Sequence, residues 1–242
     1  PTPRWRTDAP ISNARFVGVR GGAPLNANVE ASTSEQERMA DDGTIYQIKV
    51  TLSGVRPSIW RRLLLPGSYS LRDLHEVLQV AMGWEESHLH QFVARGTVYG
   101  KPDAEFGMQT IDERHVRLDE ILKTAKEAMT YEYDFGDDWQ HKIMLEKVLA
   151  VAERDVPSCV AGARACPPED CGGIWGYANL LKVIADSSHP EHDEMLEWLG
   201  HDFDAEHFDV AAINGVLARM KRRGLTKRPT QTRAKAARAG GR

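Results

Sequence analysis

YEYDFGDDWQHKIMLE, residues 131–146, decides the fold class of this chain. Aromatic and apolar residues alternate with polar ones on both sides of a Gly-Asp-Asp stretch. That is the pattern of two half-buried strands joined by a turn. With Gly136, Asp137 and Asp138 as a three-residue tip, Phe135 faces Trp139, Tyr133 faces His141 and Tyr131 faces Ile143. These six side chains then share one face of a sheet. On the other face Glu132 meets Lys142, an attractive cross-strand pair, and Asp134 meets Gln140. A slip of one residue would exchange the faces, so the sorting itself argues for an antiparallel hairpin.

Working outward, YQIKVTL (46–52) alternates Tyr46, Ile48, Val50 and Leu52 against polar residues and predicts a half-buried strand. SGVRPS (53–58) is a turn cluster, and IWRRLLLP (59–66) reads as the antiparallel return strand. SYSLRDLHEVLQVAMGW (68–84) is a helix. Ser70 and Asp73 form a capping box, Leu71, Leu74, Leu78 and Met82 share a face, and Gly83 ends it. HLHQFVARGTVYG (88–100) returns to strand alternation, and RLDEILKTAKEA (117–128) predicts a short helix. Three helices follow: YANLLKVIAD (177–186), HPEHDEMLEWLG (189–200), and DAEHFDVAAINGVLARM (204–220) capped by Asp204. Strands first and helices last predict an α+β fold with a mostly antiparallel sheet, helices packed against it and a helical C-terminal segment.

The chain of 242 residues carries 31 Lys and Arg against 35 Asp and Glu. Ten of those cations, and no acid, lie between Arg219 and Arg242, which leaves 21 basic against 35 acidic residues over 1–218, a formal −14. An acidic body therefore precedes a basic tail. Residues 1–43, rich in Gly, Ala, Asn, Ser and Pro, read as a flexible arm; 44–220 read as one domain and 221–242 as a disordered basic tail. No apolar run reaches the roughly 20 residues a membrane helix needs. Cys159, Cys166 and Cys171 are an odd set without Cys-x-x-Cys spacing, which points to free thiols and a cytoplasmic setting.

IWRRLLLP, LHEVLQVAMGWEESHLHQF, YDFGDDWQHKIMLE and CPPEDCGGIWGY, in that order, resemble the plasmid pRiA4b ORF-3-like domain family from about Tyr46 to about Met220. The resemblance implies a compact α+β domain common on mobile elements and brings no established activity.

Several residues carry candidate chemistry. His88 and His90, two apart on a strand, would present both imidazoles on one face, and with a carboxylate from Asp134, Asp137, Glu169 or Asp170 could hold a divalent metal ion. The alternative is that both rings pack beside Trp84 and Phe92. Asp134, Asp137 and Asp138 at the tip are either a cation or acid–base cluster or good turn residues. His141 is either a buried structural ring or a base bonded to Tyr133. In CPPEDCGG (166–173) the glycines allow close backbone approach, the following helix start offers N–H groups to an anion, and Cys171 there could be acidified. Tyr133, Asp134, Asp137, Asp138, Trp139, His141, Glu169 and Asp170 are thus the candidate ligand-binding residues. Two function classes fit them. One is a binding module for a protein or small ligand, with non-specific nucleic-acid contact through 219–242. The other is a metal-dependent hydrolase-like enzyme.

Overall fold

The structure, a computed structural model, describes residues 43–102, 110–150, 155–200 and 202–223. The arm expected over 1–43, apart from Gly43, and the basic tail beyond Arg223 lie outside the described residues.

Strands β1 (Ile45–Leu52) and β2 (Trp60–Pro66) pair antiparallel, and helix α1 (Leu71–Met82) follows. Next come β3 (His90–Ala94), β4 (Thr97–Gly100), the short β5 (Ile111–Asp112), a 3₁₀ turn (Glu113–His115) and α2 (Leu118–Ile121). Then β6 (Ala128–Tyr133), β7 (Trp139–Leu149) and β8 (Ser158–Ala163) precede α3 (Gly173–Ile184), α4 (His192–Leu199) and α5 (Val210–Arg223). The strands form one sheet in the order β5-β4-β3-β6-β7-β1-β2-β8, antiparallel except at β4–β5.

One face of this sheet is dry and the other wet, as strand alternation dictates. Tyr46, Ile48, Val50 and Leu52 of β1 and Trp139, His141, Ile143 and Leu145 of β7 are buried together with the apolar face of α1. The opposite face carries polar ladders. Arg62 grips Glu146 through two bonds of 2.7 and 2.9 Å, Gln47 donates to the same carboxylate at 2.7 Å, and Gln91 donates to Glu132 at 2.7 Å. Helix α1 has the expected capping box at Ser70 and Asp73, and Gly83 closes it in the left-handed conformation.

Three local expectations are corrected. The hairpin pairs Tyr133 with Trp139 and Tyr131 with His141, two residues off the expected register, so the loop spans 134–138. Asp134 causes this. It turns left-handed (φ 58°), and its Oδ1 accepts from the N–H groups of Gly136 (2.9 Å) and Asp137 (3.3 Å). Strand β6 therefore ends at Tyr133, Asp134 is buried and Phe135 is exposed, each the reverse of expectation. A shift of two keeps the remaining faces, because the side-chain period is two. Secondly, the helix expected over 117–128 is a single turn. Glu127 draws the N–H groups of Lys123 (2.6 Å) and Thr124 (3.3 Å) onto its carboxylate, a local bond that competes with helix. Thirdly, Asp209 rather than Asp204 caps α5, accepting from Ala211 and Ala212 at 2.9 Å, and the helix runs past Met220 to Arg223.

Candidate functional site

Three segments meet at the turn end of the β6–β7 hairpin: the bend 84–89 before β3, the tip 134–138, and the loop 167–173 that leads into α3. The bend and the loop are joined where Trp84 Nε1 donates to the Pro167 carbonyl (3.0 Å) and the Glu85 N–H to Glu169 Oε1 (3.0 Å). The tip and the loop are joined where the Gly172 N–H donates to Asp137 Oδ2 (3.0 Å). Gly173 sits so close that a Cβ would fall 2.6 Å from the Asp137 carbonyl oxygen, and Gly172 and Gly173 both have positive φ (85° and 65°). Gly173 is thus required by the approach of loop to tip, and Gly172 by its left-handed backbone.

Inside this junction His88 Nε2 lies 3.1 Å from Asp170 Oδ1, 3.6 Å from Asp134 Oδ2 and 3.6 Å from Glu169 Oε2. Ligand atoms of His88, Asp134 and Asp170 all fall within 4.8 Å of one another. His88 Nε2 and Glu169 Oε2 are buried atoms without a hydrogen-bond partner. Glu169 is held from its other oxygen, which accepts from Tyr133 Oη (2.9 Å) as well as from Glu85. Burial first, and that bond second, raise the Tyr133 hydroxyl above its ordinary range, so it keeps its proton and donates. Ser87 N–H in turn donates to Tyr133 Oη at 3.1 Å. Beside the cluster opens a cleft of about 440 Å³, lined in part by Arg72, His88, Leu89, His90, Lys101 and Phe135.

The His-x-His pair is divided. His88 precedes β3 and joins the carboxylates. His90 lines the same cleft but gives its Nε2 to Glu113 (2.8 Å) and stacks on His75, with ring centroids 3.5 Å apart. His75 Nδ1 contacts Tyr131 Oη at 2.8 Å. Burial, then His90 and Arg72, depress His75 to about 2. His75 and Glu113 are partners that the sequence reading missed. No spacing motif links positions 75, 90 and 113, which meet only through packing.

The three tip carboxylates diverge. Asp134 points into the cluster, Asp137 to the Gly172 N–H, and Asp138 to Gln140 Nε2 (2.6 Å). Trp139 and His141 are core residues. His141 is fully buried with Nδ1 3.3 Å from the Tyr131 carbonyl oxygen, and burial lowers it to about 4. Tyr133 spends its hydroxyl on Glu169 and the 84–89 bend, not on His141. Cys171 is not acidified: burial, then the carboxylates of Asp137, Asp170 and Glu169, push it up to about 12. All three cysteines are free.

Residues 44–212 match the family described as plasmid pRiA4b ORF-3-like protein. This chain belongs to that family. As a family member it is 40% identical over 173 residues to the uncharacterized protein y4hQ of Sinorhizobium fredii, covering 71% of this chain and 89% of that one. It also resembles the crystal structure of the protein of unknown function MM3350 from Methanosarcina mazei Go1. That likeness has a TM-score of 0.63 and 38% identity, and covers 69% of this chain and 96% of that one. The junction of bend, tip and loop lies wholly inside the family region. Among the described residues no helix is long and apolar enough to cross a membrane.

Proposed function

We propose that the protein is a binding module built around a divalent cation, held by His88 Nε2, Asp134 Oδ2 and Asp170 Oδ1 beside the cleft that His88 also lines. The observation that carries this reading is the convergence of one imidazole and two carboxylates from three separate segments. Their spacing supports it. A tetrahedral ion with bonds of about 2.0–2.1 Å has ligand atoms about 3.3 Å apart, and the two edges from His88 are 3.1 and 3.6 Å. Charge supports it too, because Glu169 adds a third carboxylate beside the same imidazole. One nitrogen and two oxygens suit Zn²⁺, Mn²⁺ or Fe²⁺ better than the all-oxygen preference of Ca²⁺.

Elemental analysis of the dialysed protein tests this reading. The expected outcome is close to one transition-metal ion per chain, lost in His88→Ala and in Asp134→Asn. Added Zn²⁺ or Mn²⁺ should raise the melting temperature of the stripped wild type and leave that of His88→Ala unchanged, since an ion that binds only the folded state stabilises it by mass action. A metal-free protein whose melting temperature ignores both ions refutes the proposal.

A further inference from the structure

We propose that this cleft hydrolyses an uncharged acyl compound, an ester or an amide, with Glu169 accepting the proton of the attacking water. The inference rests on the cation reading above and extends it to a reaction. Three protein ligands leave a tetrahedral ion one open position, the arrangement of hydrolytic rather than structural sites. Glu169 falls outside the group of three mutually close ligands. Its Oε1 is fixed by Tyr133 and by the Glu85 N–H, at 2.9 and 3.0 Å. Its Oε2 is buried, has no hydrogen-bond partner and lies 3.6 Å from His88 Nε2. A carboxylate pinned by one oxygen and bare on the other, at the edge of the ligand set, is placed to take a proton from water on the open position. Tyr133 is a positioning residue that keeps Glu169 from rotating away.

The cleft also selects the substrate class. Its volume of about 440 Å³ suits a small organic molecule. Leu89 and Phe135, 58% and 42% exposed, offer it apolar surface beside His88. Of the lining cations, Arg72 is paired with Glu76 and Glu86, and Lys101 sits exposed. A body with a formal −14 over residues 1–218 repels phosphodiesters and other polyanions. An uncharged acyl group with an apolar body fits all three facts.

The reaction balances without a further reagent. The water oxygen forms a bond to the acyl carbon as its proton passes to Glu169 Oε2, and the carbonyl π pair moves onto the carbonyl oxygen. When that pair returns, the bond to the alcohol oxygen or amine nitrogen breaks, and the leaving group takes the proton from Glu169. The products are a carboxylic acid and an alcohol or amine.

The test uses the full chain loaded with Zn²⁺, p-nitrophenyl butyrate as the probe, and zinc content measured in parallel. The expected result is zinc-dependent release of nitrophenol, with Glu169→Gln keeping its zinc and losing roughly 10²–10⁴-fold in kcat. Nitrophenol release no faster with zinc than without it overturns the hydrolysis proposal, as does a Glu169→Gln variant as active as wild type. A Glu169→Gln variant that sheds its zinc makes Glu169 a ligand and overturns its role as proton acceptor. Wild type that holds no zinc overturns the cation reading, and this proposal with it.

Discussion

Asp134 is where turn chemistry and site chemistry meet. One carboxylate oxygen caps the tip through Gly136 and Asp137, and the other faces His88. Its neighbour Asp138 is also left-handed (φ 54°) but exposed, with its carboxylate on Gln140. Asp138→Asn should therefore cost under about 1 kcal/mol, as exposed turn changes do, whereas Asp138→Ala should cost about 1–2 kcal/mol because alanine is strained there. Urea melts of both variants check this; equal stability would mean that the turn relaxes. Trp139, 1% exposed and packed near Trp84 (ring centroids 6.3 Å), should lose about 3–5 kcal/mol on truncation to Ala. The same melts measure it, and a neutral Trp139→Ala would deny that its ring anchors the core.

Buried histidines add a pH dependence. Burial leaves His141 near 4 and His75 near 2 in the fold, against about 6.5 in the unfolded chain. Both folded values are depressed, so the unfolded chain binds protons that the fold refuses. Their contribution to stability is complete above about pH 6.5 and is lost as pH falls, toward 4 for His141 and toward 2 for His75, by up to about 1.4 kcal/mol per pH unit for each ring. Urea midpoints at pH 7.5 and pH 5 should therefore differ, and the difference should shrink in His141→Phe. An unchanged pH difference in that variant would show that His141 does not contribute.

At the scale of elements, the site is a clamp between the β6–β7 hairpin and the loop before α3. Gly173 permits the contact by bringing its backbone to the Asp137 carbonyl, at a positive φ of 65°. Gly173→Ala should push the loop off the tip, because the clash is with backbone and the conformation is strained. The expected outcome is a destabilisation of about 1–3 kcal/mol together with weaker Zn²⁺ binding, read by calorimetric titration. Full zinc affinity in a destabilised Gly173→Ala would separate the clamp from the cation site. At 131–146 the sequence locates the hairpin but not its register. Alternation fixes which face a residue takes but is blind to a shift of two, and the turn residue decides that shift.

At the scale of the whole molecule, an acidic domain with one covered sheet face ends in the helix α5, which buries Leu217 and continues to Arg223. A truncation meant to remove the basic tail should therefore follow Arg223 rather than Met220. Six cations, from Lys227 to Arg242, go with it. The full chain is expected to bind duplex DNA weakly, without sequence preference and less at higher salt, and the truncated chain to bind less at every salt concentration. Filter binding across a salt series measures this, and equal binding by the two chains would rule out the tail as the contact.

The sequence by itself determined the α+β class, the capped helix α1, the inward aromatics of β6 and β7, and the candidate list that includes His88, Asp134 and Asp170. Each follows from short-range periodicity or from the chemistry of a single residue, which neighbours in the chain suffice to specify. Only the tertiary structure decided that His88 joins the carboxylates while His90 turns to Glu113 and His75, and that Asp137 reaches Gly172 while Asp138 does not. These outcomes depend on contacts between positions 15 to 84 residues apart, such as His75 with His90 and Glu85 with Glu169. Such contacts form only when the sheet brings the bend, the tip and the loop to one edge, and no local pattern encodes that meeting.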